Sequence, residues 1–496
     1  MHLLAAAALA WTTQAAEFSA LWGRNGEQWT PQSRLPDFSF AGYHCGEKPP
    51  PTLPAGVSVK KFGAKGDGVA DDSQAFLDAL AATQSGAIEV PPGHYKITKI
   101  LEITRRGVVL RGAGPDRSIL FFPTPLNDIK PNWGATTTGQ RTSNYSWSGG
   151  FVSIRGTLPV QTLATVSATA RRGDMVVTVW AADQLRVGQR VQIYQHDNPD
   201  NSLATELYSG DPGDMKNLHG STRVTFVCRV TKIMGNQVFL DRPLRCDLKR
   251  EWKAQVRAFE PTVTESGVEN LGFEFPNTPY AGHFTELGHN AVAMSACSDC
   301  WARNLRIVNP DSGLFLSGFF CTAQGIVLES SRKTDKSGST GHHGFSFNGC
   351  DNLFTDFDFR TQFIHDISVD GQATGNVSAH GRGVDLCFDH HKRVCSENLF
   401  TDLDAGAGTH LWRHGGGAAL GKPCAARGTF WNIRASRPQS YPPAEFGPPS
   451  MNLVAVQSTL ATQTNSTGKW FEVVAPGTIN PANLHQAQLA RRLDKR

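Results

Sequence analysis

Ionisable side chains are concentrated in one quarter of this 496-residue chain, since ten of its sixteen histidines fall within residues 283–414. The polar clusters recur at a regular spacing. The interval from His343 to His365 equals the interval from His391 to Arg413. Charged groups stacked at such intervals are costly unless they are paired or solvated, and groups with perturbed pKa values gather at functional sites. The spacing therefore predicts one site built from neighbouring strands.

The residue types in this stretch suit acid–base chemistry on an anionic substrate, such as β-elimination next to a carboxylate. That reaction needs a cation at the substrate carboxylate, a base for the proton next to it, and an acid for the leaving oxygen. The densest cluster is a run of five ionisable residues from Asp389 to Arg393. The predicted catalytic residues are His365, His390, His391, Lys392 and Arg413. The predicted substrate-binding residues are His342, His343, Arg382, Arg393, Trp412 and His414.

A calcium ion is a second way to neutralise a substrate carboxylate, because Ca²⁺ prefers carboxylate and carbonyl oxygens as ligands. The aspartates that could hold it are Asp366, Asp370, Asp385 and Asp389. The sequence leaves open whether a metal ion is present.

Two other functions stay open on the residues alone. Hydrolysis needs two carboxylates flanking a glycosidic bond, about 5 or 6.5–9.5 Å apart. The candidate pairs are Asp366/Asp370, Asp385/Asp389 and Asp402/Asp404. A non-catalytic carbohydrate-binding protein would show repeated aromatic residues along the chain, whereas here ionisable residues gather at one level. β-Elimination is therefore the leading hypothesis, and hydrolysis is its alternative.

The elements that position these clusters are predicted to be the coils of a mostly β solenoid. A turn-forming residue followed by an apolar one recurs along residues 270–430 at the spacing expected of a repeat protein. Asparagine suits such bends because it tolerates left-handed backbone and can hydrogen-bond its own backbone. The marks are Asn270-Leu271, Asn304-Leu305, Gly325-Ile326, Asn352-Leu353, Asn376-Val377, Asn398-Leu399 and Thr429-Phe430.

The N-terminal part carries a more specific pattern. A helix is predicted to begin at Asp71 or Asp72 and to end near Thr83. The run FGAKGDGVADDSQAFLDAL, followed by IEVPPGHYKI, resembles the N-terminal cap of the pectate lyase superfamily over residues 57–125. The resemblance implies an all-β, right-handed parallel β-helix with an N-terminal capping helix, and a protein active on polysaccharides.

Residues 163–258 break the coil rhythm and alternate like antiparallel strands, so a small β-rich subdomain is predicted to be inserted in the solenoid. The last fifteen residues are predicted to form an exposed, basic tail without function. The predicted divisions are a signal peptide (1–16), an N-terminal arm (17–55), the cap and first coils (56–162), the inserted subdomain (163–258), the β-helix body with the groove (259–440), and a C-terminal segment and tail (441–496).

Composition and the N-terminus favour a secreted protein, and the resemblance implies that its partner is a polysaccharide. An apolar run from Leu3 to Trp11, followed by small residues, is typical of a cleaved signal peptide. No later stretch approaches the ~20 apolar residues of a membrane span, and a net charge of +4 gives no reason to expect nucleic acid. Ten cysteines fit an oxidising compartment. The candidate disulfides are Cys387/Cys395 and Cys228/Cys246.

Overall fold

The computed structural model describes residues 16–460 and 464–494, so the predicted signal peptide lies outside it except for Ala16. Within these ranges no helix is both long and apolar enough to cross a membrane. The α-helices are α1 (Ser73–Ala82), α2 (Leu126–Ile129), α3 (Ser202–Leu207) and α4 (Leu484–Asp494). Helix α1 lies where the sequence predicts a helix, and its role as a cap stays a prediction.

Strands make up most of the regular structure. The first sixteen are β1 (Ala55–Ser58), β2 (Asp67–Asp71), β3 (Gly86–Val90), β4 (Gly93–Lys96), β5 (Leu101–Ile103), β6 (Val108–Gly112), β7 (Ser118–Phe121), β8 (Trp133–Ala135), β9 (Arg141–Ser143), β10 (Val152–Arg155), β11 (Thr162–Thr165), β12 (Val176–Thr178), β13 (Arg190–His196), β14 (Arg223–Met234), β15 (Gln237–Leu240) and β16 (Gln255–Ala258). The others are β17 (Val263–Thr264), β18 (Gly267–Glu274), β19 (Asn290–Ser298), β20 (Trp301–Val308), β21 (Ser312–Phe319), β22 (Thr322–Glu329), β23 (His343–Phe347), β24 (Leu353–Phe359), β25 (His365–Val369), β26 (Val377–Gly383), β27 (Phe388–His390), β28 (Leu399–Asp404), β29 (Thr429–Arg434), β30 (Asn452–Val456) and β31 (Trp470–Glu472).

Two parallel sheets form the body of the molecule. The long sheet runs β1-β3-β6-β18-β20-β22-β24-β26-β28-β29-β30-β31, with β2, β4 and β7 beside this path. The groove sheet runs β5-β10-β19-β21-β23-β25-β27, with β17 paired to β19. From β18 to β28 the chain alternates between the two sheets, so each pair of strands is one coil of a solenoid. The parallel pairing and this alternation between sheets confirm the predicted right-handed parallel β-helix.

Strand alternation sorts the side chains of the groove sheet into an inner and an outer face, because successive residues point to opposite sides. Four inward residues stand in register and are buried in the core: Leu314, Phe345, Ile367 and Phe388. The outward residues that follow them are also in register: Phe315, Ser346, Ser368 and Asp389. The outer face is therefore polar at the end of the sheet that carries β23, β25 and β27.

The predicted solenoid marks fall into two columns rather than one. Leu305 pairs with Ile326, but Ile326 pairs with Phe357 and not with Leu353. A separate asparagine ladder runs through Asn352, Asn376 and Asn398, whose Nδ2 groups donate to the next Oδ1 at 2.9 and 3.0 Å. The coils from β24 to β28 have a left-handed residue both before and within the long-sheet strand. Asparagine fits both the ladder position and the left-handed position within the strand, so the sequence pattern alone does not separate the two columns.

A six-stranded antiparallel sheet occupies the part of the chain where the inserted subdomain is predicted. Its order is β11-β16-β13-β14-β15-β12, and it has its own apolar core, with Val191, Phe226 and Val256 among the buried residues. The division of the chain into domains stays a prediction.

The C-terminus differs from the predicted exposed tail, because residues 484–494 form α4 and pack onto the N-terminal arm. Leu484 is fully buried. Gln488 Nε2 donates to Pro36 O at 2.8 Å, and an Arg492 guanidinium nitrogen donates to Ser39 O at 2.8 Å. Of the basic side chains that suggested a solvated tail, Arg491 and Arg492 donate hydrogen bonds to backbone carbonyls of the arm.

The predicted disulfides are not formed, and all ten cysteines are free. Cys387 Sγ accepts from the backbone N–H of Asp366 at 3.4 Å, while Cys395 Sγ donates to Lys392 O at 3.1 Å. Short separation in sequence does not make these two thiols neighbours, because they lie on either side of β27. Cys228 and Cys246 are likewise separate buried thiols.

Candidate functional site

A cleft of about 550 Å³ opens on the outer face of the groove sheet, over β23, β25 and β27. One wall comes from residues 135–137 with Trp147 and Phe284, and the other from residues 413–417. Eight of the residues predicted from the sequence line it: His342, His343, His365, Asp370, His391, Arg393, Arg413 and His414. Strands about one coil apart therefore bring together most of the predicted site.

A buried carboxylate organises the cleft floor. Asp389 is fully buried, and its two oxygens accept hydrogen bonds from Ser368 Oγ at 2.8 Å and from the backbone N–H of Gly415 at 2.7 Å. Burial alone would raise the pKa of Asp389, but the neighbouring charges of His391 and His365 lower it well below its usual value. The group is a carboxylate at neutral pH.

The carboxylate acts on His343 through Ser368. His343 Nδ1 lies 3.1 Å from Ser368 Oγ. The hydroxyl proton of Ser368 goes to the carboxylate of Asp389, so the hydroxyl oxygen must accept from an Nδ1–H of His343. This tautomer leaves a lone pair on Nε2 of His343. Burial, followed by the charges of His365 and His391, keeps the pKa of His343 well below its usual value, so the ring is neutral and can accept a proton.

His391 has the opposite character. Its Nδ1 forms an ion pair with Asp389. Burial lowers the pKa of His391, but the charge of Asp389 outweighs it and raises the pKa to about 9. His391 thus contacts the carboxylate directly and His343 contacts it through Ser368; the two rings differ in charge at neutral pH, and their centres lie 5.6 Å apart. Two titratable groups whose pKa values are driven apart form an acid–base pair.

Sequence reasoning missed several residues of this site. Ser368 carries no charge, and its signal was its outward position on β25, in register with Asp389 on β27. His283 lies against His342, with ring centres 4.5 Å apart. Glu286 is buried, accepts from the hydroxyl of Tyr280 and lies 3.6 Å from His342 Nδ1. Burial raises the pKa of Glu286 to about 7.

Cationic side chains dominate the charge of the cleft. Arg393 and Arg413 line it together with the cationic His391, and Asp370 is the one carboxylate among the described residues of the lining. Lys392 does not line the cleft; its Nζ donates to Gly417 O at 2.9 Å and supports the wall. A basic cleft of this kind attracts an anionic ligand.

Position 415 requires glycine because the backbone there lies against the histidines of the cleft floor. A Cβ at this position would stand 2.7 Å from His391 Nε2 and 3.1 Å from His365 Cε1. The absence of a side chain lets the backbone N–H reach Asp389.

Besides Lys392, three other predicted catalytic or binding residues lie outside the cleft lining, and their predicted roles are corrected. His390 points into the core beside Phe400 because it alternates with Asp389 on β27, and burial lowers its pKa to about 4. Trp412 packs edge-on against Phe430, with ring centres 4.8 Å apart. Arg382 lies on β26 of the long sheet, where it donates to Asp358 at 2.9 Å.

The four aspartates predicted to hold calcium do not gather. Asp370 accepts from the backbone N–H of Gly371, and Asp385 accepts from Thr409. Within the described residues, three groups bring ligand atoms within 4.8 Å of one another, and none contains two of the four aspartates. They are His283/His342/His365, His365/Asp389/His391 and Asp366/Cys387/His410.

None of the three aspartate pairs proposed for hydrolysis lines the cleft with both of its members. Of all six residues only Asp370 lines it. Asp402 and Asp404 lie on β28 of the long sheet, where Asp402 accepts from Asn432 and Arg434. No predicted pair therefore has both carboxylates in position to flank one glycosidic bond of a substrate in the cleft.

The cleft continues along the groove sheet. A second cleft of about 530 Å³ lies over β5, β10, β19 and β21, and the two share Trp147 and Asn348. Seven neighbouring strands at roughly 4.8 Å spacing give a groove about 29 Å long. Its length suits a chain-like ligand.

Residues 56–146 match the family described as "Rhamnogalacturonase A/epimerase, pectate lyase-like". The resemblance to the pectate lyase superfamily is confirmed. Two curated relatives are plasmin and fibronectin-binding protein A of Streptococcus pneumoniae (strain ATCC BAA-255 / R6), 31% identical over 118 residues, and mannuronan C5-epimerase AlgE4 of Azotobacter vinelandii, 32% identical over 97 residues. The matches cover 21% and 18% of this chain, and 16% and 18% of the relatives. The chain thus spans less than a fifth of either relative, and the histidines of the cleft lie outside residues 56–146.

Among solved structures, the tailspike protein gp49 of Pseudomonas phage LKA1 aligns with a TM-score of 0.46 at 12% identity, covering 83% of this chain and 68% of that chain. The family 28 exopolygalacturonase of Yersinia enterocolitica aligns with a TM-score of 0.35 at 14% identity, covering 84% and 67%.

Proposed function

We propose that this protein is a lyase that cleaves an acidic, uronate-containing polysaccharide by β-elimination, and that it acts outside the cell. The observation that carries the proposal is the hydrogen-bonded chain Asp389–Ser368–His343 beside the cationic His391 on the floor of a basic cleft. This arrangement offers a neutral base and a charged acid a few ångströms apart.

Each step of β-elimination has a group that can perform it. Arg413 and Arg393 bind the carboxylate of the uronate, which makes the proton on the adjacent carbon more acidic. His343 Nε2 takes that proton, and the chain through Ser368 to Asp389 stabilises the resulting imidazolium. The bond from the neighbouring ring carbon to the glycosidic oxygen breaks, a carbon–carbon double bond forms, and His391 gives its proton to the leaving oxygen.

Hydrolysis is less well supported, because it needs two carboxylates across one bond and the described residues of the cleft lining offer Asp370 alone. C5-epimerisation is the second candidate. The family description includes the word epimerase, and a relative is a mannuronan C5-epimerase. Epimerisation begins with the same proton abstraction but returns a proton to the other face and leaves the chain intact. The cationic cleft serves either reaction.

The test is incubation of the purified protein with a panel of uronate polymers and neutral glucans. Ultraviolet absorbance of the new double bond, reducing ends and deuterium uptake from heavy water are followed together. β-Elimination raises absorbance and reducing ends in step. Reducing ends without absorbance would establish hydrolysis, and deuterium uptake without either signal would establish epimerisation. No signal on any polymer would refute the enzyme proposal.

The role of the base is tested with His343→Gln. The loss of a positioned base lowers kcat by roughly 10²–10⁴-fold. The matched control is His380→Gln, a histidine on β26 of the long sheet that is 66% exposed, which leaves kcat unchanged. Equal losses in the two variants would contradict the assignment.

A further inference from the structure

A second group of convergent side chains lies behind the cleft, between β25, the turn before β27 and the loop after β28. Asp366, Cys387 and His410 each place one ligand atom within 4.8 Å of the others. None of the three lines the cleft. Asp366 and Cys387 are buried, and the side chain of His410 is 17% exposed.

The tautomer of His410 directs a lone pair into this group. The hydroxyl of Thr409 donates to Asp385, so its oxygen accepts from the Nδ1–H of His410 at 2.8 Å. In the neutral imidazole, Nε2 then carries the lone pair. It is buried without a hydrogen-bond partner among the described residues and lies 3.8 Å from Asp366 Oδ2. Two acceptor atoms therefore face each other.

The backbone orients the other two ligands in the same way. The Asp366 carboxylate accepts from the N–H groups of Phe363 at 2.9 Å and Cys387 at 3.0 Å. Cys387 Sγ accepts from the N–H of Asp366 at 3.4 Å. The Asp366 carboxylate and the Nε2 lone pair of His410 converge beside the Cys387 sulfur in a buried place, and acceptor atoms placed in this way repel one another unless a cation lies between them.

We infer that Asp366, Cys387 and His410 bind one zinc ion. Their mixed oxygen, sulfur and nitrogen donors are those of zinc sites, whereas Ca²⁺ takes six to eight oxygen ligands. Tetrahedral zinc bonds of about 2.0–2.1 Å place nitrogen and oxygen ligands about 3.3 Å apart. The separation of 3.8 Å between His410 Nε2 and Asp366 Oδ2 needs only a small contraction. The thiol proton of Cys387 leaves to solvent when sulfur binds the metal, and a water molecule takes the fourth position.

The role of this zinc is to hold the cleft wall. His410 begins the segment that carries Arg413 and Gly415, and Gly415 donates to Asp389. Tying His410 to β25 and to the turn before β27 fixes that segment on the coils that carry the floor. Asp385 is the outer partner that orients the imidazole, as such partners do in zinc proteins.

The experiment is titration of the chelator-treated protein with Zn²⁺ alone by calorimetry, repeated with Co²⁺ to record a thiolate-to-cobalt charge-transfer band. We expect one zinc ion per chain and a higher Tm with zinc. Cys387→Ser and His410→Gln each weaken zinc binding by at least about 100-fold, whereas Asp385→Asn costs roughly 10–100-fold. Cys424→Ser, another buried thiol, leaves both the affinity and the charge-transfer band unchanged.

No zinc binding by the chelator-treated protein would overturn the inference, and so would unchanged affinity in His410→Gln. Loss of zinc in His283→Gln but not in Cys387→Ser would move the metal to the cleft histidines and overturn it as well. If circular dichroism shows that Cys387→Ser does not fold, Asp366→Asn replaces it as the test. We expect folded Asp366→Asn to lack the cobalt charge-transfer band, and a retained band would overturn the inference. None of these measurements depends on enzymatic activity, so the lyase proposal stands or falls separately.

Discussion

Replacing Asp389 by asparagine removes one buried charge and preserves the shape of the side chain. In the native protein the charge of Asp389 raises the pKa of His391 to about 9. Without it the pKa of His391 returns to about 6.5 or lower, because burial opposes the charged form. At pH 8 the protonated fraction of His391 falls from about 90% to about 3%, a loss of about 30-fold in the acid form.

The activity of Asp389→Asn at pH 8 is therefore expected to fall at least about 30-fold, and the alkaline limb of its pH–rate profile to move from near pH 9 toward 6.5. The assay is the initial rate of absorbance increase on the polymer that gives the strongest signal, measured from pH 5 to 10. Ser368→Ala is the matched control. It breaks the contact with His343 and lowers the plateau by roughly 10–100-fold, but it leaves the alkaline limb in place. An alkaline limb that does not move in Asp389→Asn refutes the reasoning.

The same ion pair predicts how stability depends on pH. His391 has a raised pKa in the folded state, so its contribution is fully present below its unfolded pKa and is lost as the pH rises through about 9. The shift corresponds to on the order of 3 kcal/mol. Urea unfolding of the native protein between pH 6.5 and 9 should show this loss, and Asp389→Asn should show a flatter curve. Parallel curves would contradict the ion pair.

Three further variants test the geometry. Gly415→Ala places a Cβ 2.7 Å from His391 Nε2 and should abolish activity. Gly477→Ala meets nothing within 4 Å, but its φ of +86° makes alanine strained, so it should lower stability by about 1–2 kcal/mol and keep activity. Retained activity in Gly415→Ala would contradict the packing. Asn376→Ala removes the buried side-chain hydrogen bonds to Gly349 O and to the next asparagine of the ladder. It should lower the free energy of unfolding, measured in urea, by about 1–3 kcal/mol. An unchanged urea midpoint would mean that the ladder does not stabilise the fold. His390→Phe keeps an aromatic ring in the core and should retain kcat, and a loss of kcat with normal folding would return His390 to the site.

The sequence was sufficient to predict the β-helix, and most of the catalytic and substrate-binding residues that it singled out in residues 340–415 line the candidate cleft. These predictions come from local and repeated patterns. The coil pattern recurs many times along the chain, and the N-terminal segment that resembles the pectate lyase superfamily is contiguous. Patterns of this kind can be recognised in the sequence without knowing which coil contacts which.

Only the tertiary structure decided which ionisable residues lie together. Asp389, His390 and His391 are consecutive, yet strand alternation turns His390 into the core and its neighbours toward the cleft. Coil lengths vary, so the pairing of Ser368 with Asp389 on the next coil could not be read from spacing. The free thiols and the helical C-terminus depend on contacts between distant segments. The physical reason is that side-chain orientation and strand register depend on packing between coils, whereas the repeat is a local sequence pattern within each coil.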